Sequence, residues 1–358
     1  MARDERSRVM LVGPGPGGKG GIAVAIETIA TSRLAERFRL VVVATHSSPS
    51  RPGKALDALL GIGRAAFLLA FRRVDVVYLH VSSGFSLRRK ALVATMARLA
   101  RRPYVVHVHA GNFDAYHERA SRWERGLIRR TLGGAALVIA LSPSWERRVQ
   151  ALAPCRTTAI PNMVRIPHER APLDAAPALI VSLGRLGDPK GSATLVRALA
   201  RLDGRQRDTR LLLAGDGDRA PIAVEARRLG VADRVELPGW IGPDERARTL
   251  LVASVFALPS RDEGLPMSLL EAMAYGLPAV VSPVGGIPDV FEDGRHGYFV
   301  QPDDPDALAD RLRALLENPE LARTMGAQAR ADAMARYDVD VVTARLGDAL
   351  ELVLEGSR

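Results

Sequence analysis

Glu263 and Glu271 stand eight positions apart in the run Arg261-Asp-Glu-Gly-Leu-Pro-Met-Ser-Leu-Leu-Glu-Ala-Met-Ala-Tyr-Gly-Leu-Pro. Pro266 marks a helix entry, because proline is tolerated where the first N–H would be unpaired anyway. Leu269, Leu270 and Met273 supply an apolar stripe at helical spacing. Gly276 followed by Pro278 is a stop signal, and Ala279-Val-Val then reads as a buried strand. Glu263 is therefore expected in the loop before a helix, and Glu271 within it. Such a helix start offers backbone N–H groups to an anion, while two carboxylates accept hydrogen bonds from hydroxyls. A ligand that carries both phosphates and hydroxyls, as a nucleotide sugar does, suits that combination.

The segment resembles the Glu-x7-Glu motif of retaining GT-B glycosyltransferases of the GT4 type. Several other motifs carry the same resemblance. Val181-Ser-Leu-Gly-Arg-Leu-Gly-Asp-Pro-Lys-Gly matches the family's Gly-Arg…Lys-Gly element with Arg185 and Lys190. Leu213-Ala-Gly-Asp-Gly-Asp resembles its Gly-Asp-Gly strand end at Gly215, and Pro238-Gly-Trp its loop beside the nucleotide base. Gly17-Gly-Lys-Gly-Gly-Ile-Ala looks like its glycine-rich N-terminal loop, and His109 matches the histidine that approaches the donor sugar.

The resemblance implies roles for these residues. Arg185 and Lys190 would face the β-phosphate, and Glu263 would take hydrogen bonds from the sugar hydroxyls. The backbone of Gly264, Leu265, Pro266 and Met267 would support it, and Glu271 would accept from the ribose. Gly17, Gly18 and Gly215 would border the donor, and Asn112 the acceptor. The chemistry implied is same-face substitution without a metal or other cofactor, a guanidinium and an ammonium stabilising the departing diphosphate. No second carboxylate at nucleophile spacing can be argued from the sequence.

Around these residues, short apolar β-rich runs alternate with longer helical patterns, the mark of parallel α/β structure. Strands are expected at 9–12, 40–44, 74–79, 104–108, 137–141, 179–183, 211–214, 235–237, 255–258 and 279–281. A proline-rich stretch from Ile160 to Pro177 reads as a linker. The expected architecture is GT-B, two doubly wound Rossmann-like domains facing a cleft. An N-terminal acceptor-binding domain would span 1–168 and a donor-binding domain 169–338. The last helix, 339–358, would cross back to the first domain.

The glycine-rich loop has decoy readings. Gly13-x-Gly15-x-x-Gly18 satisfies a dinucleotide fingerprint, but the second strand ends Ala44-Thr45-His46 without the acidic residue that a ribose needs. A P-loop is also nearly matched, yet Gly20 stands where a magnesium-binding Ser or Thr belongs. Asp216 and Asp218 lie between glycines after a strand and read as turn residues rather than metal ligands. His107 and His109 could ligate a metal with His117, but no compact acidic cluster joins them.

The chain has 358 residues, 47% of them hydrophobic and 25% charged, which is ordinary for a globular protein. Cys155 is the only cysteine, so no internal disulfide can form. The N-terminus lacks a signal-peptide pattern, and no charge-free apolar run reaches about 18 residues. A cytoplasmic protein is expected, peripheral on the inner face of the plasma membrane. The net charge of +10 divides as +17 over 1–172 and −7 over 173–358. The basic half suits an anionic surface. Two basic-apolar stretches, Lys54–Arg73 and Arg88–Arg102, fit either a membrane surface or packing on a sheet.

The implied reaction moves a sugar from a nucleoside diphosphate to an acceptor hydroxyl of a glycan or lipid-linked intermediate in cell-surface polysaccharide or glycolipid synthesis. The alternative is a non-catalytic nucleotide- or polyanion-binding protein that uses the basic half. Nucleic acid is not an expected partner, since aromatics are 5% and no nucleic-acid motif is present.

Overall fold

The computed structural model describes residues 6–15, 17–18, 20–46, 51–111, 113–173, 176–202, 206 and 208–357. The chain divides into two units, Met1–Met163 with Val339–Arg358, and Val164–Asp338.

In the first unit six strands form one sheet: β1 Arg8–Pro14, β2 Arg39–His46, β3 Val76–Val81, β4 Tyr104–Val108, β5 Leu137–Ala140 and β6 Thr157–Ala159. They lie in the order β2-β1-β3-β4-β5-β6, and every pair is parallel. Parallel strands need crossover helices, which cover both faces, so β1, β3, β4 and β5 are buried along their length and largely apolar rather than alternating. One face packs Met10, Val12, Leu79 and Val106 against Leu87, Val93 and Ile128 of the helices. The other packs Val9, Leu11, Tyr78 and Val105 against Ile26 and Ile29, and against Val342, Leu346, Leu350 and Val353 of the last helix, Val339–Glu355. The period of those four residues is what places that helix on this sheet.

The second unit repeats the plan with β7 Leu179–Leu183, β8 Arg210–Ala214, β9 Val235–Gly239, β10 Val255–Leu258, β11 Ala279–Val281 and β12 Gly297–Phe299. Their order is β12-β11-β10-β7-β8-β9, again all parallel. Strand order reverses between β7 and β10 here, and between β1 and β3 in the first unit. In open α/β sheets, ligands bind beyond the carboxyl ends of the strands at these reversals.

The unit boundary lies at Met163/Val164. Ile160 and Met163 are buried in the first unit's core, and the Val164 N–H donates to the Tyr337 carbonyl at 2.8 Å. Strands β6 and β12, three residues each, were not expected. They are edge strands, only partly buried, and Thr157-Thr-Ala and Gly297-Tyr-Phe make no apolar run in the sequence.

Candidate active site

At the reversal of the second sheet, two loops are tied together. The Arg261 N–H donates to the Pro189 carbonyl at 3.0 Å, which joins the turn after β7 to the turn after β10. Lys190 closes the short 3-10 turn Asp188–Lys190, ahead of the helix Ser192–Leu199. Its Nζ donates to Glu263 Oε1 at 2.5 Å, and Ser260 Oγ donates to the same oxygen at 2.8 Å. Glu263 is 6% exposed. Among the described residues its Oε2 accepts no hydrogen bond, so one oxygen is held in place and the other remains for a ligand hydroxyl. Arg185, two residues past β7, is exposed and unpaired among the described residues.

The backbone fixes this carboxylate as firmly as the side chains do. The Gly286 N–H donates to the Gly264 carbonyl at 2.7 Å. Gly285 has φ +59°, and a Cβ there would lie 1.7 Å from the Glu263 carbonyl oxygen. The loop after β11 thus presses on Glu263 at a distance only glycine permits. Gly215 does the same for the β7 turn: its Cβ would lie 1.7 Å from the Gly184 carbonyl oxygen, next to Arg185. Asp218 Oδ1 accepts from the Ala220 N–H at 3.0 Å, the behaviour of a turn residue.

The helix Met267–Ala274 starts after Pro266, its N-cap, and follows Gly264 and Leu265. Its first-turn N–H groups lack intrahelical partners by construction. Leu269, Leu270 and Met273 are buried, and Glu271 turns to the other side. That carboxylate already has a partner, since Arg246 Nη1 donates to its two oxygens at 3.0 and 3.2 Å. Burial raises the Glu271 pKa while Arg246 opposes the rise. The Arg246 guanidinium in turn lies 5.6 Å from the centre of the Trp240 ring, in the loop after β9. A ribose hydroxyl would join a pair that exists beforehand.

In the first unit the turn between β1 and the helix Gly21–Ala30 contains Gly17 and Gly18. Thr45 Oγ1 donates to the Gly13 carbonyl at 3.1 Å, and occupies the strand end where a dinucleotide site keeps its acid. His109 follows β4 and its N–H donates to the Val81 carbonyl at 2.9 Å. Its Nε2 is 2.9 Å from His80 Nδ1, and its ring centre 4.0 Å from that of His107. His107 Nδ1 is 2.7 Å from the Tyr78 hydroxyl. Burial and the Lys90 charge lower the His109 pKa to about 3. Asn112 lies outside the described residues. His117 stands on the helix Phe113–Arg119, and the three-histidine cluster of this unit is His80, His107 and His109.

Sequence reasoning missed Ser260, Arg246, Gly285, Gly286, His80 and Lys90. Only the Val284-Gly-Gly-Ile-Pro run, a glycine pair in the loop after a strand, offered a usable signal.

The geometry agrees with comparisons to known proteins. The model of glycosyl transferases group 1 matches residues 166–332, and that of glycosyltransferase family 4 matches residues 4–166. A phosphatidyl-myo-inositol mannosyltransferase of Mycobacterium leprae is 30% identical over 295 residues, 78% of this chain and 74% of the relative. The fold resembles sucrose-phosphate synthase from Thermosynechococcus elongatus, with TM-score 0.82, 19% identity, and coverage of 98% of this chain and 100% of that one. It also resembles Anabaena HepE, solved in complex with UDP and glucose, with TM-score 0.77, 21% identity, and coverage of 97% and 100%. Two six-stranded parallel sheets, each with one reversal of strand order, and two family models that between them span both units make this chain a GT-B protein that belongs to the group 1, family 4 glycosyltransferases.

Proposed function

We propose that this enzyme is a retaining glycosyltransferase that takes its sugar from a nucleoside diphosphate sugar and needs no metal to do so. The observation that carries the reading is the Lys190–Glu263 pair beside an unpaired Arg185 at the reversal of the second sheet. As the bond between the anomeric carbon and the phosphate oxygen breaks, negative charge grows on the diphosphate. Lys190 and Arg185 supply fixed positive charge where it develops. Glu263 Oε2 accepts from a sugar hydroxyl and holds the ring in register. The acceptor oxygen forms the new bond on the same face, and its proton passes to the departing phosphate oxygen. Glu271, steadied by Arg246, accepts from the ribose, and Trp240 borders the base.

The acceptor in this reading is a glycan or lipid-linked intermediate approached at an anionic membrane surface. The helix Arg51–Ala70 leaves Leu56, Leu59, Leu60 and Phe67 exposed, and Phe71 is exposed just beyond it. Arg73 lies over the Phe67 ring, and Arg88 lies over both Phe85 and Trp123. Apolar groups rimmed by arginines suit a headgroup boundary. Among the described residues no helix is long and apolar enough to cross a membrane. Binding to phosphatidylglycerol vesicles that weakens with salt is the expected result, and salt-insensitive binding would count against this surface.

The central test is a melting series with EDTA present, against UDP, GDP, ADP, their sugar conjugates, NAD and ATP. Selective binding at about 100 Kd stabilises by roughly 2.7 kcal/mol, a readable shift. One diphosphate and one of its sugars should stand out. A response to NAD or ATP alone would overturn the reading.

A further inference from the structure

Lys90 is 1% exposed, and its one hydrogen bond among the described residues is the 3.1 Å contact from Nζ to Ser86 Oγ. An ammonium taken out of water without a carboxylate partner costs several kcal/mol, so buried lysines are normally paired. Here the surroundings are cationic. Arg89 is the charge that bears on Lys90, and no carboxylate among the described residues does so. Lys90 in turn bears on His46 at the end of β2, on His80 of β3 and on His109 beyond β4. Lys54 and Asp57, from the helix Arg51–Ala70, act on His46 in opposite senses. His107 completes the set of titratable groups around His80 and His109.

Four nitrogens in this group are buried and have no partner among the described residues: His46 Nδ1, His80 Nε2, Arg89 Nε and His107 Nε2. Buried polar atoms in folded proteins nearly always have partners, so several unsatisfied nitrogens in one place indicate an absent acceptor. The group also sits at the carboxyl ends of β2, β3 and β4, beside the strand reversal of the first sheet. A metal is the other candidate, since one nitrogen from each of His80, His107 and His109 lies within 4.8 Å of the others. Lys90 and Arg89 weigh against a dication there and favour an anion.

We infer that this corner of the first unit receives a phosphoryl group carried by the acceptor, with Lys90, Arg89 and His46 as its donors. The inference rests on the reading of the first unit as the acceptor side. A phosphoryl oxygen accepts charge-assisted hydrogen bonds from several donors at once, and its charge offsets the buried ammonium. The same chemistry comes from two sources, a phosphorylated sugar or polyol and a phospholipid headgroup.

The test is thermal melting of the full chain in inorganic phosphate, with chloride making up constant ionic strength and UDP or GDP saturating the donor side. Phosphate should raise Tm beyond what chloride does. Lys90→Met should weaken the apparent phosphate affinity about tenfold or more, the size of one charge-assisted hydrogen bond. Arg89→Gln, at a less buried position, should do the same if Lys90→Met fails to fold by circular dichroism. Equal phosphate responses in wild type and a folded variant would overturn the inference. So would stabilisation by zinc in place of phosphate. Competition by glycerol phosphate would identify a soluble phosphomonoester, and competition by phosphatidylglycerol vesicles a headgroup. Either result supports the site, and competition by neither sinks it. If UDP or GDP binds but phosphate shows no Lys90 dependence, this inference alone fails. If no nucleotide binds, the functional reading fails instead.

Discussion

The reversals of the two sheets carry opposite electrostatics. In the second unit each acid is matched: Lys190 with Glu263, and Arg246 with Glu271, both pairs largely shielded from water. In the first unit Lys90, Arg89, His46, His80 and His109 crowd together without a carboxylate on Lys90. Matched pairs are organised before any ligand arrives, and they cost no reorganisation when charge develops. An unmatched buried cation either sheds its proton or is stabilised when an anion is delivered. The matched pattern of the second unit fits a fixed task repeated on every turnover. The unmatched pattern of the first unit fits recognition of one kind of incoming molecule.

The largest expected effect breaks the matched side. Glu263→Gln keeps the shape and an acceptor for Ser260 but removes the charge that Lys190 faces. Turnover should fall roughly 10²–10³-fold, the usual loss for a fixed electrostatic group. Lys190→Met should cost a similar factor in kcat. Arg185→Ala, at an exposed position, should cost roughly tenfold, equivalent to about 1.4 kcal/mol. Steady-state rates of sugar transfer or donor hydrolysis decide this. Activity within a factor of two of wild type in Glu263→Gln would reduce the pair to a structural contact.

Gly285→Ala comes next and separates backbone from side chain. The added methyl would meet the Glu263 carbonyl oxygen, and φ +59° is unfavourable for alanine. Overpacking of this kind costs about 1–3 kcal/mol, or roughly 2–4 °C of Tm per kcal/mol in a domain of this size. Since the displaced segment carries Glu263, kcat should fall as well. A loss of Tm with full activity would mean that the loop relaxes without moving the carboxylate.

How much of this was legible in the sequence follows from what periodicity can encode. Ten of the twelve described strands left apolar runs, Ala279–Val281 among them, whereas the half-buried Thr157-Thr-Ala and Gly297-Tyr-Phe form no such run. Glu263 and Glu271 were visible because both lie in one segment with helix punctuation around them. Arg246 was invisible as the partner of Glu271, since a separation of 25 positions is bridged through the fold, not through spacing. Lys90 was misleading in a different way. It sits in Arg88-Arg-Lys, which reads as a solvated basic run, yet Arg88 is exposed and Lys90 is turned inward. Helical phase explains part of that, because Lys90 falls on the stripe with Leu87, Ala91 and Ala94. Pattern reading assigns charged residues to water by type, so it cannot find the one that folding has buried.

Lys90→Met should give the smallest effect and bears most directly on the unmatched side. Burial, with Arg89 beside it, lowers the Lys90 pKa from 10.5 to about 7. A base whose pKa is depressed on folding holds fewer protons folded than unfolded. Its contribution to stability is therefore full above 10.5 and is lost as pH falls through that window toward 7. Wild-type Tm should rise from pH 7 toward 10, and Lys90→Met should flatten that rise. At pH 7 without phosphate the variant should melt at the same temperature or a few degrees higher, because methionine has no charge to desolvate. His46 works in a separate window. Its ring stays neutral down to about 4 in the folded state, so stability falls as pH drops below 6.5, and His46→Gln should remove that part. The two windows do not overlap, so one pH series on the two variants assigns each slope to its residue. An unchanged alkaline slope in Lys90→Met would mean that the amine is solvated, and the contrast between the two sheet reversals would then lose its basis.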